Sequence, residues 1–448
     1  MGNDFSGDGD SKEDRFPKSD GDFRTPAVGR RDFLKATGAG AAATSLAGPA
    51  VGLSTAGQQG PLRFGAIYIL SGFASVYGES AELGIEMAVD EINSQGGIDG
   101  REIGQVLFRD SEASASTAIQ HARSLVQQDN VDGLIGLDSS GVALKVAPVV
   151  RQLRRPLMIT HAATPFVTTQ SGPNAQGNRY VYRDGVNLSQ NLYGAANVAR
   201  DLDAQSWTTI GPDYAFGHQT WDYFKAYTQG MDLGLNYMDG ATAFPQLGAS
   251  DFTPQINKVV NADPDAVVTS LWGGDLVTFL KQAQNTAFFD TVDNLLMTVG
   301  AATDVLQPLG SDMPDGLWAG TRYWFRAPQS DANDQFRQKF RNRYDQFPSY
   351  NAQNAYTGMY LYKKAIEQAG SAEPDAVVSQ WQGMQHTGPV GQFTIDEQSH
   401  QAILPAVWGK TQYSQDLGIS LLEPVRRIDA PADRLRSLLD GSDLPAGV

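Results

Sequence analysis

Residues 131–164, VDGLIGLDSSGVALKVAPVVRQLRRPLMITHAAT, contain two short apolar runs that each lead into a small polar loop. The runs are residues 131–137 and 156–160, and the residues between them have the apolar spacing of a helix. A buried strand, a crossover helix and a second strand make a parallel βαβ unit. Ligands of open parallel sheets bind just beyond the carboxyl ends of the strands. The two loops, residues 138–141 and 161–164, are therefore predicted to form part of a binding site.

The length and net charge of the chain limit the class of protein that it can be. The chain has 448 residues, enough for two or three domains with their own cores. Its formal net charge is −16, and the first 56 residues contribute little of this, since they hold eight acids and seven bases. Nucleic acid is disfavoured as a partner because proteins that bind it present a basic patch. An acidic, lysine-poor surface suits solubility in high salt, so both a halophilic protein and an ordinary acidic protein remain open.

Cysteine and histidine usage excludes several kinds of site. The sequence has no cysteine, which excludes disulfides, cysteine nucleophiles, thiolate metal sites and a lipid anchor on cysteine. Its five histidines never occur as a close pair, so no zinc-protease motif is present. A mixed histidine and carboxylate metal site remains open, but nothing in the sequence points to one, so we expect neither a cofactor nor a metal ion.

The N-terminal residues 1–56 have the features of an export signal. Residues 1–29 are polar and lack any apolar period, which predicts disorder. Arg30-Arg31-Asp32-Phe33-Leu34-Lys35 and the mild apolar run that follows resemble a twin-arginine export signal, with a plausible cleavage point near Ala50 or Ala56. The alternative is a chance arginine pair before an alanine-rich helix. As an export signal, this segment implies transit through the twin-arginine translocase.

The rest of the chain alternates strand-like and helix-like segments from residue 62 to residue 428. This alternation predicts an α/β protein with parallel sheets. The alternation starts again near residue 186, where a helix-like segment begins a second series of strands and helices. Two similar lobes are therefore expected.

Ten short motifs occur in succession along the chain. They are Ser71-Gly72 with Tyr77-Gly78, Ala88-Val89-Asp90-Glu91-Ile92-Asn93, Gly96-Gly97-Ile98 with Gly100, Asp110-Ser111, Ser139-Ser140, Ala162-Ala163-Thr164-Pro165, Tyr214-Ala215-Phe216-Gly217, Trp272-Gly273-Gly274-Asp275, Pro348-Ser349-Tyr350 with Ala352, and Gly388-Pro389-Val390-Gly391. Together they resemble the type I periplasmic-binding proteins of the branched-chain amino acid (Leu/Ile/Val-binding) class, the solute-binding components of ABC transporters.

This resemblance implies two Rossmann-like lobes, each with a parallel sheet flanked by helices, that close on a ligand by hinge motion. Lobe I would comprise residues 62–184 and 321–387, lobe II residues 186–318 and 390–428, and residues 429–448 would form a C-terminal tail. The three inter-lobe crossings would lie near residues 183–186, 318–322 and 387–391.

The resemblance also implies where the polar head of a ligand binds. Ser139 and Thr164 match positions whose hydroxyls hold the ligand, and Ala162 matches one that offers backbone groups, with Ser140 and Ala163 beside them. A helix beginning near Ser140 would direct free N–H groups and its positive dipole end into the cleft, which suits a carboxylate or carbonyl oxygen. The alternative is that Ser139 or Ser140 only caps that helix.

Three aromatic residues, Tyr77, Phe216 and Trp272, match positions that wall the pocket, and their alternative role is ordinary core packing. The chain departs from the family at residues 299–303, where amino-acid binders tend to have a glutamate for the ligand ammonium and this chain has alanine. An unpaired, desolvated ammonium would cost several kcal/mol, so a standard branched-chain amino acid is in doubt. Asp138, beside the expected carboxylate site, could receive a cation or point into solvent.

The leading functional hypothesis is an exported, monomeric solute-binding protein, at the outer face of the membrane or in the periplasm. It would deliver a branched-chain amino acid-like, amide or urea-like solute to an ABC permease and its ATPase. A ligand-sensing receptor subunit and a secreted serine hydrolase using Ser139 or Ser140 remain as alternatives, although no nucleophile-elbow motif is present. Asn187-Leu188-Ser189 also forms a possible N-glycosylation sequon.

Overall fold

The computed structural model describes residues 60–168 and 178–431. The predicted export signal in residues 1–56 and most of the predicted C-terminal tail lie outside these residues. Within the described ranges, no helix is both long and apolar enough to cross a membrane.

The first sheet is entirely parallel, as the alternating pattern predicts. Its five strands are β1 (Phe64–Tyr68), β2 (Leu107–Asp110), β3 (Gly133–Gly136), β4 (Leu157–Ile159) and β5 (Val181–Arg183). They follow the order β2-β1-β3-β4-β5. Three helices connect them: α1 (Ser75–Ser94), α2 (Ala115–Gln127) and α3 (Ser140–Leu153). Strands β1, β3, β4 and β5 are buried along their whole length, as expected for a sheet covered on both faces.

The second sheet has a parallel centre and an antiparallel edge. Its parallel strands are β6 (Ser206–Ile210), β7 (Asn236–Tyr237), β8 (Ala266–Thr269), β9 (Asn294–Met297) and β10 (Trp318–Thr321). The helices of this half are α4 (Leu188–Arg200), α5 (Ala215–Gly230), α6 (Thr253–Ala262), α7 (Gly273–Ala283), α8 (Phe288–Thr291) and α9 (Thr303–Leu309). The chain later adds β14 (Ala406–Ser414), β15 (Ile419–Leu422) and β16 (Arg426–Ile428), with β14 antiparallel to β10. The order is β15-β14-β10-β9-β8-β6-β7, with β16 beside β14.

Between β10 and β14 the chain returns to the first sheet. It forms α10 (Asp331–Tyr344), α11 (Tyr350–Ala369) and α12 (Pro374–Trp381), and then a small sheet of β11 (Gln385–Gly388), β12 (Gly391–Ile395) and β13 (Ala402–Ile403). Helix α11 packs along α1 so closely that a Cβ at Gly84 would stand 2.1 Å from the carbonyl oxygen of Ala352. Only glycine allows the two backbones to approach this far.

The last passage between the sheets differs from the expectation of residues 387–391. Gly388 and Gly391 pair with each other, so this stretch is the turn of the hairpin between β11 and β12. Strand β12 then pairs with β13, and residues 404–405 lead into β14 of the second sheet. Gln401 forms a bridge with Arg183 at the end of β5, which keeps the small sheet beside the first one.

We propose lobe boundaries that follow the two large sheets. Lobe I takes residues 60–183 and 322–403, and lobe II takes residues 188–321 and 406–431. This proposal moves the small three-stranded sheet into lobe I.

Asn187, the residue of the possible glycosylation sequon, lies just after the first crossing between the lobes. The side chain of Asn187 accepts a hydrogen bond from the Gln190 backbone amide, and the side-chain oxygen of Gln190 accepts one from the Asn187 backbone amide, which forms a capping box at the start of α4. Asn187 is only 1% exposed. The sequon hypothesis is therefore wrong for the folded protein, because the side-chain amide is buried and already bonded.

The close contact between α1 and α11 predicts a specific instability. Gly84→Ala should lower the free energy of unfolding by about 1–3 kcal/mol, because the added methyl group must push one helix backbone away from the other. Gly240→Ala is the matched control, since a Cβ there would meet no atom within 4 Å. Urea unfolding followed by circular dichroism measures both changes. Equal stability of the two variants would contradict the packing described here.

Candidate functional site

A narrow cavity lies where the carboxyl ends of the two large sheets face each other. Its volume is only about 10 Å³. That is roughly the room that one water molecule needs. Its walls are formed by Asp138, Ser140, His161, Ala163, Tyr214, Phe216, Trp272, Val299, Arg322 and Tyr350. A larger solute therefore requires the two walls to stand further apart than they do in this conformation.

The loops that the sequence singled out form one wall of this cavity. Asp138 and Ser140 follow β3, and His161 and Ala163 follow β4. The opposite wall comes from the loops after β6, β8 and β9 in lobe II. Both walls thus lie at carboxyl ends of parallel strands, as the rule for open α/β sheets requires.

The nine predicted site residues divide into two groups. Five of them line the cavity: Asp138, Ser140, Ala163, Phe216 and Trp272. The other four lie behind the wall: Tyr77, Ser139, Ala162 and Thr164. The Ala162 amide already donates to the Leu137 carbonyl at 2.8 Å, and the Thr164 hydroxyl is buried without a hydrogen-bond partner among the described residues.

Ser140 joins the two loops rather than capping its helix. Its Oγ accepts hydrogen bonds from the amides of Ala163 at 3.3 Å and Thr164 at 3.1 Å. Ser139 occupies the N-cap position of α3, but its side chain makes no capping hydrogen bond. Because Ser140 Oγ accepts from two amides, its own proton is directed away from them and can serve a group in the cavity.

Asp138 is turned inward, toward its own lobe. One carboxylate oxygen accepts from the Ile69 amide at 2.6 Å, and the other lies 2.9 Å from Nδ1 of His161. The residue is 5% exposed. Its acceptor atoms are therefore engaged by lobe I, and it does not point into solvent.

His161 connects Asp138 to Tyr350 and Arg322, which also line the cavity. Its Nε2 lies 3.0 Å from the Tyr350 hydroxyl, and its carbonyl accepts from the Arg322 guanidinium. Burial lowers the pKa of His161 below its usual value, and the nearby Arg322 charge acts in the same direction, although Asp138 opposes both. His161 is thus favoured as the neutral imidazole.

Arg322 supplies the only described cation in the cavity wall. It is 4% exposed, and its guanidinium lies over the Tyr350 ring, 5.0 Å from the centroid. Its Nε has no hydrogen-bond partner among the described residues, and no described carboxylate approaches the guanidinium within ion-pair distance. The buried guanidinium therefore has N–H groups that are free to donate hydrogen bonds to a ligand in the cavity.

Five lining residues were not predicted as site residues: His161, Tyr214, Val299, Arg322 and Tyr350. Tyr214 and Tyr350 stood inside motifs quoted for the family resemblance, so their motif membership was a usable signal. The sequence placed Arg322 only in an inter-lobe crossing. The one feature that could have indicated a site residue is its position directly after the buried strand β10.

The two lobes are in contact across the cavity, so this is a closed conformation. The Gly273 amide of lobe II donates to the Tyr77 hydroxyl of lobe I at 3.1 Å. The Trp272 ring contacts Phe73, Tyr77 and His161, with centroid distances of 5.4, 5.4 and 5.6 Å.

This contact predicts a variant that cannot close fully. A Cβ at Gly274 would lie 2.8 Å from the Phe73 carbonyl oxygen in the other lobe. Gly274→Ala should therefore hold the lobes apart and raise the radius of gyration measured by small-angle X-ray scattering. Gly141→Ala is the matched control in the same cleft, because its nearest contact, the Tyr214 ring, is at an ordinary 3.6 Å. Identical scattering from both variants would argue against the closed geometry.

Comparison with known families gives an extended match. Residues 61–412 match the family model described as periplasmic binding protein. A Leu/Ile/Val-binding protein homolog 7 of Brucella melitensis biotype 1 is 27% identical over 225 residues, which cover 50% of this chain and 55% of the relative. This chain thus spans about half the length of that curated relative. Leu/Ile/Val-binding protein homolog 8 of Brucella abortus (strain 2308) is 24% identical over 334 residues, 71% of this chain and 79% of the relative.

Solved structures share the fold at low sequence identity. A solute-binding protein of an ABC transporter from Rhodopseudomonas palustris BisB5, in complex with 3,4-dihydroxybenzoic acid, aligns with a TM-score of 0.72 and 21% identity, over 83% of this chain and 99% of that one. A leucine-binding protein from Thermotoga maritima MSB8 aligns with a TM-score of 0.70 and 21% identity, over 83% and 99%. At this identity the likeness establishes the fold and not the ligand.

Proposed function

Because this chain belongs to the periplasmic binding protein family, whose members are solute-binding proteins and not enzymes, we propose that it captures a small organic carboxylate in the cleft between its lobes. It would act as the exported solute-binding component of an ABC importer, on the outer side of the membrane. Hinge closure would trap the carboxylate, and docking to the permease and its ATPase would release it. Export through the twin-arginine translocase belongs to the same proposal.

The buried guanidinium of Arg322 is the observation that carries this proposal. Moving a charge out of water costs several kcal/mol unless a partner of opposite charge compensates it. No described carboxylate compensates Arg322. An anionic ligand would supply the missing partner, and a carboxylate matches the two-pronged geometry of a guanidinium.

The other polar groups of the wall support the same ligand chemistry. Ser140 can donate its hydroxyl proton, whereas each oxygen of Asp138 already accepts a hydrogen bond within lobe I, from Ile69 and from His161. The cavity wall therefore offers donors, and its strongest acceptor is already engaged. A carboxylate, which only accepts hydrogen bonds, fits this set better than an amide or a urea, which must also donate.

Among the described residues of the cavity wall, the one carboxylate is Asp138, which is already bonded within lobe I, so the ammonium group of an amino acid would lack a dedicated partner. In residues 299–303, where the family resemblance led us to expect a glutamate in amino-acid binders, this chain has no acid, and Val299 lines the wall. The nearest acid along the chain, Asp304, is bonded to the Asn351 amide, and burial raises its pKa to about 6. A carboxylate without an ammonium group is therefore the better candidate.

Aromatic side chains suggest a flat ligand. Tyr214, Phe216, Trp272 and Tyr350 line the narrow space, and rings of this kind stack on planar groups. The Rhodopseudomonas palustris BisB5 protein that shares this fold was solved with 3,4-dihydroxybenzoic acid, and another from that species with benzoate. Benzoates are therefore the first ligands to test.

A thermal-shift series tests the proposed ligand class. Benzoate and 4-hydroxybenzoate should raise the melting temperature, because a ligand at 100 times its Kd stabilises the fold by about 2.7 kcal/mol. Leucine tests the need for an ammonium receptor, and benzamide tests the need for a carboxylate, since it keeps the ring and loses the charge. Stabilisation by benzamide or leucine but not by benzoate would overturn the proposal.

Arg322→Gln tests the residue on which the proposal depends. Loss of a buried charge partner costs about 2–5 kcal/mol, so benzoate affinity measured by titration calorimetry should fall at least about thirtyfold. Arg326→Gln is the matched control, because Arg326 lies four residues further on, is exposed and is not part of the cavity wall. An unchanged Kd in Arg322→Gln would show that the carboxylate binds elsewhere.

A further inference from the structure

A second group of contacts joins the lobes where α9 of lobe II meets the start of α11 in lobe I. Oδ2 of Asp304 accepts a hydrogen bond from Nδ2 of Asn351 at 2.7 Å, and Oγ1 of Thr303 donates to the Phe347 carbonyl at 3.3 Å. Thr303 and Asn351 are 2% and 1% exposed. Both hydrogen bonds run from one lobe to the other, so both are lost when the cleft opens.

Asn351 is anchored within lobe I. It directly follows Tyr350 of the cavity wall, and its backbone amide donates to Oγ of Ser349, the N-cap residue of α11, at 3.1 Å. Ser349 Oγ in turn lies 2.8 Å from Oγ of Ser80 on α1. Asp304 is therefore the member of the contact that arrives from the other lobe when the cleft closes.

Only one side of the Asn351 amide is used in this contact. Its Nδ2 donates to Asp304, whereas its Oδ1 is buried without a hydrogen-bond partner among the described residues. An ionised carboxylate only accepts hydrogen bonds, so it cannot serve that oxygen. A protonated carboxyl group can, because it accepts on one oxygen and donates from the other. The neutral acid thus fits the Asn351 amide better than the carboxylate does.

The charge of an ionised Asp304 has no counterpart in the closed cleft. No described lysine, arginine or histidine lies within ion-pair distance of its carboxyl group. The titratable groups of lobe I that face it are the hydroxyls of Tyr77 on α1 and Tyr350 on α11. Burial raises the pKa of both tyrosines, so both stay neutral at ordinary pH.

The elements of lobe II that pack on α9 are α7, β15 and the turn of residues 310–312. Strand β15 has no titratable residue. On α7, Asp275 accepts a hydrogen bond from the Gly248 amide, and Lys281 pairs with Asp312 of the turn at 3.7 Å. The charged groups packed on α9 from its own lobe are therefore engaged with other partners.

We infer that Asp304 and Asn351 form a latch between the lobes, and that this latch holds the cleft closed more firmly when Asp304 carries a proton. Capture of the ligand is then coupled to uptake of a proton from the solvent, and Asp304 releases that proton when the cleft opens. The inference deepens the proposed function by adding a regulation of the same cleft. It rests on that function only where a ligand serves as the probe.

The expected pH dependence follows from the two states of Asp304. As an exposed aspartate of the open cleft it has a pKa of about 3.9. In the closed cleft burial raises the pKa to about 6, although the hydrogen bond from Asn351 opposes the shift. The closed state therefore binds more protons between these values, and closure becomes more favourable as the pH falls from about 7 to about 4. This gain is lost again as the pH rises through 6.

Benzoate affinity should follow the same profile. Asp304 is only partly buried, so we expect the Kd for benzoate to fall about three- to tenfold between pH 7 and pH 5. Titration calorimetry across this range measures the change. Variants of the latch then show how much of it belongs to Asp304.

Asp304→Asn gives the latch the shape and hydrogen bonds of the protonated acid at every pH. The new side-chain oxygen can accept from Asn351, and the new NH₂ group can donate to Asn351 Oδ1. The Kd for benzoate at pH 7 should therefore fall about three- to tenfold, to the value that the wild type reaches in acid. Weaker binding by Asp304→Asn at pH 7 would show that the carboxylate itself holds the lobes together, and would overturn the inference.

Two further variants test the specificity of this effect. Asp312→Asn is the matched control, because the Asp312 side chain is 62% exposed and pairs with Lys281 outside the cleft. It should keep the Kd and the pH profile of the wild type. Asn351→Ala removes the partner, so Asp304→Asn should change the affinity little in that background. An undiminished gain in the Asn351→Ala background would contradict the latch.

Calorimetry in buffers of different ionisation enthalpy counts the proton itself. At pH 6, near the midpoint for the closed state, the wild type should take up about half a proton more per bound benzoate than Asp304→Asn does. Equal proton uptake by the two proteins would refute the coupling between capture and protonation.

A measurement without ligand separates failure of the inference from failure of the proposed function. Small-angle X-ray scattering should give the wild type a smaller radius of gyration at pH 5 than at pH 7, and Asp304→Asn should already be the more compact protein at pH 7. If these differences are seen but benzoate and 4-hydroxybenzoate do not bind, the proposed ligand is wrong and the latch stands. If benzoate binds with the same pH dependence in both proteins, the ligand proposal stands and the latch falls.

Discussion

A buried guanidinium without an ion-pair partner among the described residues dominates the cleft. Arg322 stands directly after β10, where the chain leaves lobe II, and it donates to the His161 carbonyl of lobe I. Its charge is a cost to the folded protein until an anion compensates it. The same residue therefore fixes the start of the returning lobe I segment against the His161 loop and, in our proposal, sets the charge of the ligand.

The two polar loops of lobe I serve this cleft in different ways. Ser140 ties the loop after β3 to the loop after β4 through two backbone amides, which holds both in one geometry. Asp138 instead uses its oxygens within the lobe, where they bond to the Ile69 amide and to His161. Preorganised loops of this kind reduce the ordering that binding requires, which favours affinity.

Sequence patterns predicted the architecture because each lobe repeats one local rule. Apolar runs alternate with helical periods, and the structure has the two series of parallel strands and connecting helices that this alternation predicts. Short elements such as α9, α12 and β11 have eight residues or fewer, too few for a hydrophobic period to show in the sequence. The hairpin turn at Gly388 and Gly391 was read as a crossing because strand pairing is not a local property.

The sequence by itself determined the α/β class, the two series of strands and the position of the loops after β3 and β4, since these depend on neighbouring residues in the chain. The tertiary structure decided which side chains face the cavity. Arg322 and Tyr350 lie more than 150 residues from the loop of His161, and only folding brings them together. It also decided the role of Asp138, because an aspartate binds a ligand or its own lobe according to the donors that packing places around it, here the Ile69 amide and His161.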